Sequence, residues 1–139
     1  MREYMGLFRG KRTNNGEWVE GGLYEEKRMH ESYFLIVRTA VDLRKEEYGH
    51  VPAEFFLVDP DSIGECTTLK DKNGKLIFEG DILKGMRGLH RVYYDTSLAC
   101  FEWAKINGNW EESFSGFADE YEIIGNIHDN PELLEGAGE

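Results

Sequence analysis

The sequence predicts a mainly β protein: an N-terminal β-rich region carrying one short helix, followed by a small β-barrel or sandwich. Three observations carry this. Short apolar and aromatic runs alternate with turn residues along most of the chain. The Asn-Gly pairs Asn15-Gly16 and Asn73-Gly74 suit the positive-φ geometry of tight hairpin turns. Helical spacing is confined to one short stretch. Regularly spaced strands with Gly-rich turns fit two packed sheets or one closed sheet.

The elements follow in order. Leu7-Phe8-Arg9-Gly10-Lys11 and Glu17-Trp18-Val19-Glu20 flank Asn14-Asn15-Gly16 and read as an N-terminal hairpin. Tyr33-Phe34-Leu35-Ile36-Val37-Arg38 is β-branched and aromatic enough for a strand covered on both faces. Thr39 to Gly49 sets Val41, Leu43 and Tyr48 among charged residues and ends in glycine, which predicts the helix. Ile63 to Leu69 and Leu76-Ile77-Phe78 flank Asn73-Gly74 as a second hairpin. Glu79-Gly80-Asp81 breaks the apolar pattern before Ile82-Leu83-Lys84, as a strand corner does. Leu89 to Asp95 and Leu98 to Trp103, joined at Thr96-Ser97, make a third hairpin. Asn107-Gly108-Asn109 is a further turn, and Tyr121 to Ile127 the closing strand, stopped at Asn130-Pro131. The turn-forming stretch Pro60 to Gly64 marks a seam. The expected organisation is an N-terminal region over 1–61, a barrel over 62–130 and an acidic tail over 131–139.

Composition narrows the class. The chain has 139 residues, 40% of them apolar and 13% aromatic, enough for one domain with a core and no staples. No apolar run approaches the ~20 residues that span a bilayer, and Met1-Arg2-Glu3-Tyr4-Met5 lacks the build of a signal peptide. A cytoplasmic protein is expected. Cys66 and Cys100 are too far apart for a metal or redox motif and read as small buried hydrophobes. The formal net charge is −11. Counted by segment, residues 1–50 carry 9 basic and 9 acidic residues, 51–91 carry 6 and 7, and 92–139 carry 1 and 11. The imbalance lies in the last third, where Lys105 is the one cation. Such a segment is either a face for a cationic partner or a solubilising surface.

Two stretches resemble the YopX family of phage and prophage proteins. They are Ser62 to Lys84, which contains Gly64-Glu65-Cys66, Asp71-Lys72-Asn73-Gly74 and Glu79-Gly80-Asp81-Ile82, and Ile123-Ile124-Gly125-Asn126-Ile127-His128-Asp129-Asn130-Pro131-Glu132-Leu133-Leu134. The opening Phe8-Arg9-Gly10-Lys11-Arg12 with Asn15-Gly16-Glu17-Trp18-Val19 and Gly21 is similar to the same family. Thr68 stands where the family usually has glycine, and His128 where it usually has tyrosine. The resemblance implies an SH3-like C-terminal barrel, a phage or prophage origin and a homo-oligomer, and it carries over no catalytic residue.

The motif has a purely structural reading. Asp71 caps the Asn73-Gly74 turn, Gly80-Asp81 is a corner whose carboxylate accepts backbone N–H groups, Gly125-Asn126 admits close packing, and Asn130-Pro131 ends the strand. Gly64 belongs to the same set. A functional reading instead takes Lys70, Lys72, Lys75, Lys84, Arg87 and Arg91 as a basic strip that binds phosphate. Interleaved Asp71, Glu79 and Asp81 and the net −11 oppose it.

Enzyme chemistry is poorly supplied. His30, His50, His90 and His128 stand apart, without metal-ligand spacing, and His90 reads as decorating a strand face. Glu111-Glu112 and Asp119-Glu120 are adjacent carboxylates that a strand turns to opposite sides. No phosphate loop, dinucleotide fingerprint or serine elbow occurs. No cofactor or metal is expected.

The reading is therefore a non-catalytic phage accessory protein working by self-association and contact with a host or phage protein, cationic if the 92–139 segment receives it. Trp18, Trp103, Trp110, Tyr93 and Phe114 are the aromatics expected to contribute to an interface. A nucleic-acid module using the basic strip and a metal-dependent hydrolase are the alternatives.

Overall fold

The structure is a computed structural model that describes residues 6–39, 53–106, 111–113 and 118–135. The described backbone is mainly antiparallel strand, in two sheets. It forms two compact units that divide between Glu65 and Cys66.

In the first unit, β1 (Phe8–Lys11) and β2 (Trp18–Arg28) form the expected hairpin, Phe8 opposite Gly21 and Lys11 opposite Trp18. The reversal is wider than a two-residue Asn-Gly turn. Arg12 N–H donates to the Glu17 carbonyl at 2.8 Å, and Gly16 N–H to the Arg12 carbonyl at 2.9 Å. Gly16, at φ +72°, supplies the left-handed step. β2 then runs on to Arg28 and pairs with β3 (Glu31–Thr39), from Gly22 opposite Val37 to Arg28 opposite Glu31. A further strand, β4 (Ala53–Leu57), pairs with β3 through Leu35 opposite Leu57 and Thr39 opposite Ala53.

The core of this unit is Val19, Ile36 and Val58, flanked by Phe8, Phe34, Phe56 and Ile63. Only one face of β3 is covered, contrary to the two-faced burial its composition predicts. Ile36 is fully buried, whereas Leu35 and Val37 are half-buried and Tyr33 and Arg38 exposed. The helix expected over Thr39–Gly49 lies outside the described residues, except that Thr39 is the last residue of β3. A 3-10 turn, Pro60–Ser62, leads out of the unit. Asp59 caps it, its Oδ1 accepting from Asp61 N–H at 3.0 Å.

Strand β5 (Gly64–Lys70) begins against β1, with Gly64 opposite Arg9 and Glu65 opposite Phe8. From Cys66 onward it belongs to the second unit and pairs with β6 (Leu76–Phe78) as the expected hairpin. The second unit's sheet consists of β7 (Asp81–Gly85), β8 (Gly88–Asp95), β9 (Cys100–Lys105), β10 (Glu111–Ser113) and β11 (Glu122–Asn126). Their order is β10-β9-β8-β7-β11, with β10 and β11 as its edges. Among the described residues neither sheet closes, so the barrel expected over 62–130 is not observed as a closed sheet.

Both faces of this sheet are covered at its centre. Directly opposed residues of an antiparallel pair share a face. The pairs Leu83–His90, Val92–Trp103 and Ile123–Leu83 therefore lie together, over Ile77, Ala118 and Tyr121. Ile82 and Leu89 face the other way, into a smaller cluster with Ile106, Ile127 and Leu133.

The third hairpin is looser than its sequence suggests. Asp95 pairs with Cys100, and Thr96 to Ala99 form the turn, so Leu98 and Ala99 are not strand residues. Asp95 Oδ1 gathers the Ser97 N–H at 2.9 Å and hydroxyl at 2.8 Å and the Leu98 N–H at 3.2 Å. The Ser97 hydroxyl above all, with the Leu98 N–H, holds the Asp95 carboxyl below the usual carboxylate range. The turn expected at Asn107-Gly108-Asn109 lies outside the described residues.

Between β5 and β6 the register slips. The span from Cys66 to Lys70 faces the shorter span from Phe78 to Leu76, so β5 bulges, and Thr68 within the bulge sits at φ +70°. A β-branched residue there is strained. Thr67 steadies the bulge: its hydroxyl donates to the Ile77 carbonyl at 2.8 Å and accepts from Leu69 N–H at 3.2 Å. Replacing Thr68 with glycine removes the left-handed strain at the cost of a more flexible unfolded chain. The expected outcome of Thr68→Gly is a gain of about 1 kcal/mol in urea unfolding; a loss of stability would refute the strain.

Candidate functional site

Three features of the structure are candidates for function: the motif turns, the basic strip and an uncovered apolar face in the first unit. In the motif the chain turns on short polar side chains that are buried because the backbone needs them. Asp71 and Asp81 are only 3% and 2% exposed. Asp71 Oδ1 accepts from Asn73 N–H and Lys75 N–H, each at 2.9 Å, and its Oδ2 from Ile123 N–H at 3.0 Å. Gly74, at φ +79°, donates its N–H to the Asp71 carbonyl at 3.0 Å. One carboxylate thus closes the β5–β6 turn and grips β11. Burial pushes the Asp71 carboxyl up, but the N–H groups of Ile123, Lys75 and Asn73 and the charge of Lys75 outweigh it, so it titrates below the usual carboxylate value.

Asp81 does the corresponding work at the strand corner, its Oδ2 accepting from Phe78 N–H at 2.8 Å. Gly80 reaches φ +94°, which lets its N–H meet the Val92 carbonyl at 2.8 Å and its carbonyl the Ile127 N–H at 2.9 Å. Asn126 Oδ1 accepts from His128 N–H and Asp129 N–H, each at 2.9 Å. Asn130 Oδ1 accepts from Asn126 N–H at 3.2 Å. A Cβ on Gly125 would collide with the Asn130 side chain, so glycine is required by space. Pro131 opens a short 3-10 turn, Pro131–Leu134. Gly64 is buried at the start of β5.

The basic residues are all exposed but do not form a strip. Lys70 ends β5, Lys72 and Lys75 sit in the turn, Lys84 and Arg91 lie on β7 and β8, and Arg87 is in the turn between those strands. Lys72 Nζ is 3.7 Å from Glu122 Oε2, and Glu122 stands directly opposite Lys84. An acid therefore separates the turn lysines from the strand cations. The Arg91 guanidinium lies over the Tyr93 ring at 5.4 Å.

Among the described residues, no group of three or more His, Cys, Asp or Glu is placed to hold a metal ion. His90 does not decorate a face. It is fully buried, stacked on Trp103 with ring centroids 4.4 Å apart and edge-on to Tyr121 at 5.5 Å. The alternating sequence predicts an outward residue, but His90 shares the face of Val92, where Leu83 and Lys105 are its cross-strand partners. His30 is exposed in the β2–β3 turn, His128 is half-buried, and His50 lies outside the described residues. Cys66 is buried as expected, but Cys100 is half-exposed. Partial desolvation raises the Cys100 thiol above its ordinary value, helped by the Glu102 carboxylate, whose Oε1 is 3.7 Å from Sγ, and by Asp95. That is the reverse of an activated nucleophile. A half-open depression of about 570 Å³ is lined by Met86, Arg87, Glu120 and Tyr121.

Of the aromatics expected at an interface, the three described ones are wholly or partly buried. Trp103 is 1% exposed. Trp18 is half-buried beneath the Arg9 guanidinium at 4.7 Å, and Tyr93 is half-buried too. Trp110 and Phe114 lie outside the described residues. The uncovered apolar surface is elsewhere, on the outer face of β2, β3 and β4, and sequence reasoning missed it. Tyr24 stands opposite Leu35, which stands opposite Leu57, while Val37 stands opposite Phe55. Tyr24, Phe55 and Leu57 are 54%, 62% and 42% exposed. The signal that was available is the apolar run Phe55-Phe56-Leu57-Val58.

Fold and site together define a two-unit antiparallel β protein whose polar motif is consumed by its own backbone and whose apolar surface is partly uncovered. The family model described as "YopX protein" matches residues 7–135, and the chain belongs to the YopX family. Among solved structures it is similar to protein EF1440 from Enterococcus faecalis, known from a crystal structure. The two share 29% identity over 91% of this chain and 96% of that one, with a TM-score of 0.49. Comparison with curated proteins finds no match.

The Asp71 geometry sets a pH dependence. Its folded carboxyl titrates below its unfolded value of about 3.9, so its contribution is present above that pH and is lost as pH falls through the folded value. At pH 7, Asp71→Asn is expected to cost about 1–3 kcal/mol in urea unfolding. The gap between variant and wild type should then narrow as the pH falls below about 4. A gap that stays constant down to low pH would count against the carboxylate as the acting group.

Proposed function

We propose that the protein is a non-catalytic phage or prophage accessory protein that works in the bacterial cytoplasm through self-association and contact with a host or phage protein. The observation that carries this is the exposed apolar face of β2 to β4. A cluster of this size and aromatic content on a folded surface favours cover by another protein. The motif residues support the same reading from the other side, because their polar atoms are spent on backbone N–H groups rather than held ready for a substrate. No described helix is long and apolar enough to cross a membrane.

Contact with nucleic acid is the second reading, favoured by the exposure of all six cations from Lys70 to Arg91. Glu122 stands against it by breaking their continuity. We further propose that the second unit is SH3-like, with β7, β8 and β9 as its antiparallel meander.

Sedimentation velocity across a concentration series tests the main reading. The expected result is a mass above the 16.1 kDa of one chain and no salt-sensitive shift of labelled DNA or RNA. A strict monomer contradicts self-association, and a shift that weakens with salt transfers the assignment to the second reading.

A further inference from the structure

His90 is fully buried on β8, and neither the motif turns nor the apolar face makes use of it. Its ring lies on Trp103 with centroids 4.4 Å apart and planes at 28°, and meets Tyr121 edge-on at 5.5 Å. Trp103 and Tyr121 are buried too and 4.7 Å apart, so the three rings form one enclosed stack. Leu83 of β7 stands opposite His90 and Ile123 of β11 opposite Leu83, with Ile77 of β6 in the same cluster. Charged groups also face the stack from the elements described around it. β9 brings Lys105, directly opposite His90 and on the same face. β7 brings Asp81, two residues before Leu83 on its strand, whose Oδ2 accepts from Phe78 N–H at 2.8 Å. Glu120 stands beside Tyr121 and is exposed.

Opposing effects act on an imidazolium in this stack. The faces of Trp103 and Tyr121 attract a cation, by about thirtyfold in the protonation equilibrium at a desolvated site. Asp81 attracts it as well, with its carboxylate already drawn to Phe78 N–H. Loss of water acts the other way and disfavours the charged form of a fully buried group by up to about 10³- to 10⁵-fold. The Lys105 ammonium adds repulsion. The loss of water outweighs the attraction, and the ring is held neutral.

We propose that His90 makes the second unit an acid-sensitive switch: the folded core keeps the imidazole neutral, and the unit opens to take up a proton from solvent as the pH falls below about 6.5. Below that pH the open form binds one proton more than the closed form, so stability that is fully present above it is lost as the pH falls. The opening constant rises by up to about tenfold for each pH unit below that value. Opening separates Trp103 and Tyr121 from His90 and brings the Trp103 indole into water. This range is distinct from that of Asp71, whose contribution changes below about pH 4.

Two measurements on the full chain test this. The first follows the histidine ring resonances by NMR from about pH 8 to about pH 5. His30, exposed in the β2–β3 turn, is expected to titrate near its ordinary value of about 6.5, while His90 keeps the resonances of a neutral ring for as long as the core is closed. The second is urea unfolding across the same range, read by tryptophan fluorescence, for the wild type and for His90→Phe. Phenylalanine keeps an aromatic ring on Trp103 and Tyr121 but takes up no proton. Between about pH 7 and about pH 5 the unfolding constant of the wild type is expected to rise at least about tenfold more than that of the variant. A His90 ring that titrates near 6.5 in the folded protein overturns the proposal, and so does a His90→Phe variant as acid-sensitive as the wild type over that range. Should His90→Phe not fold, the ring titration decides by itself.

Discussion

The second unit is built around a carboxylate that has been taken out of water and given back three donors. Asp71 is 3% exposed, and its oxygens hold the N–H groups of Asn73, Lys75 and Ile123. Burying an ion without partners is prohibitive, so a carboxylate survives here only if the turn and β11 come to it together. That requirement links residues 52 positions apart in sequence. Once β11 is fixed it pairs with β7, and the neighbouring Lys72 N–H meets the Tyr121 carbonyl at 2.8 Å, bringing Tyr121 over the core. Asp81 and Asn126 repeat the device at the corner and after the last strand.

These local devices are what the sequence makes legible. Asn73-Gly74 is a turn wherever it stands between apolar runs, Gly80-Asp81 reads as a corner because it interrupts such a run, and Asn126 to Pro131 reads as a terminator. Each needs only the chemistry of nearby residues. What is hidden depends on distant partners. The second half of β2 contains Glu25-Glu26-Lys27-Arg28 and shows no period; it is a strand because β3 pairs with it. His90 is polar by composition, yet Trp103 and Tyr121 enclose it, and both come from other elements. Thr68 adopts a left-handed backbone because the lengths of β5 and β6 do not match.

The candidate site was less legible than the fold for the same reason. The motif residues were readable because they serve the chain locally, and their side chains are found doing so. The cations from Lys70 to Arg91 look like a strip in one dimension, and Glu122, brought in by β11, divides them in three. Conversely, Tyr24, Leu35, Leu57 and Phe55 come from three strands, one of which was not expected, and only pairing places them on one face. The acidity of 92–139 is likewise partly spoken for. Asp95 gathers a turn, Glu102 is buried, Glu122 sits by Lys72, and Asp129 accepts from the Asn126 side chain.

The claim that one buried carboxylate organises the second unit is most directly tested by following the amide resonances of Asn73, Lys75 and Ile123 as the pH is lowered. A shared acceptor predicts that all three shift together, with one midpoint below the usual carboxylate value, and that Ile123 responds as strongly as its two partners in the turn. Separate midpoints, or an Ile123 amide indifferent to the titration that moves Asn73 and Lys75, would contradict it.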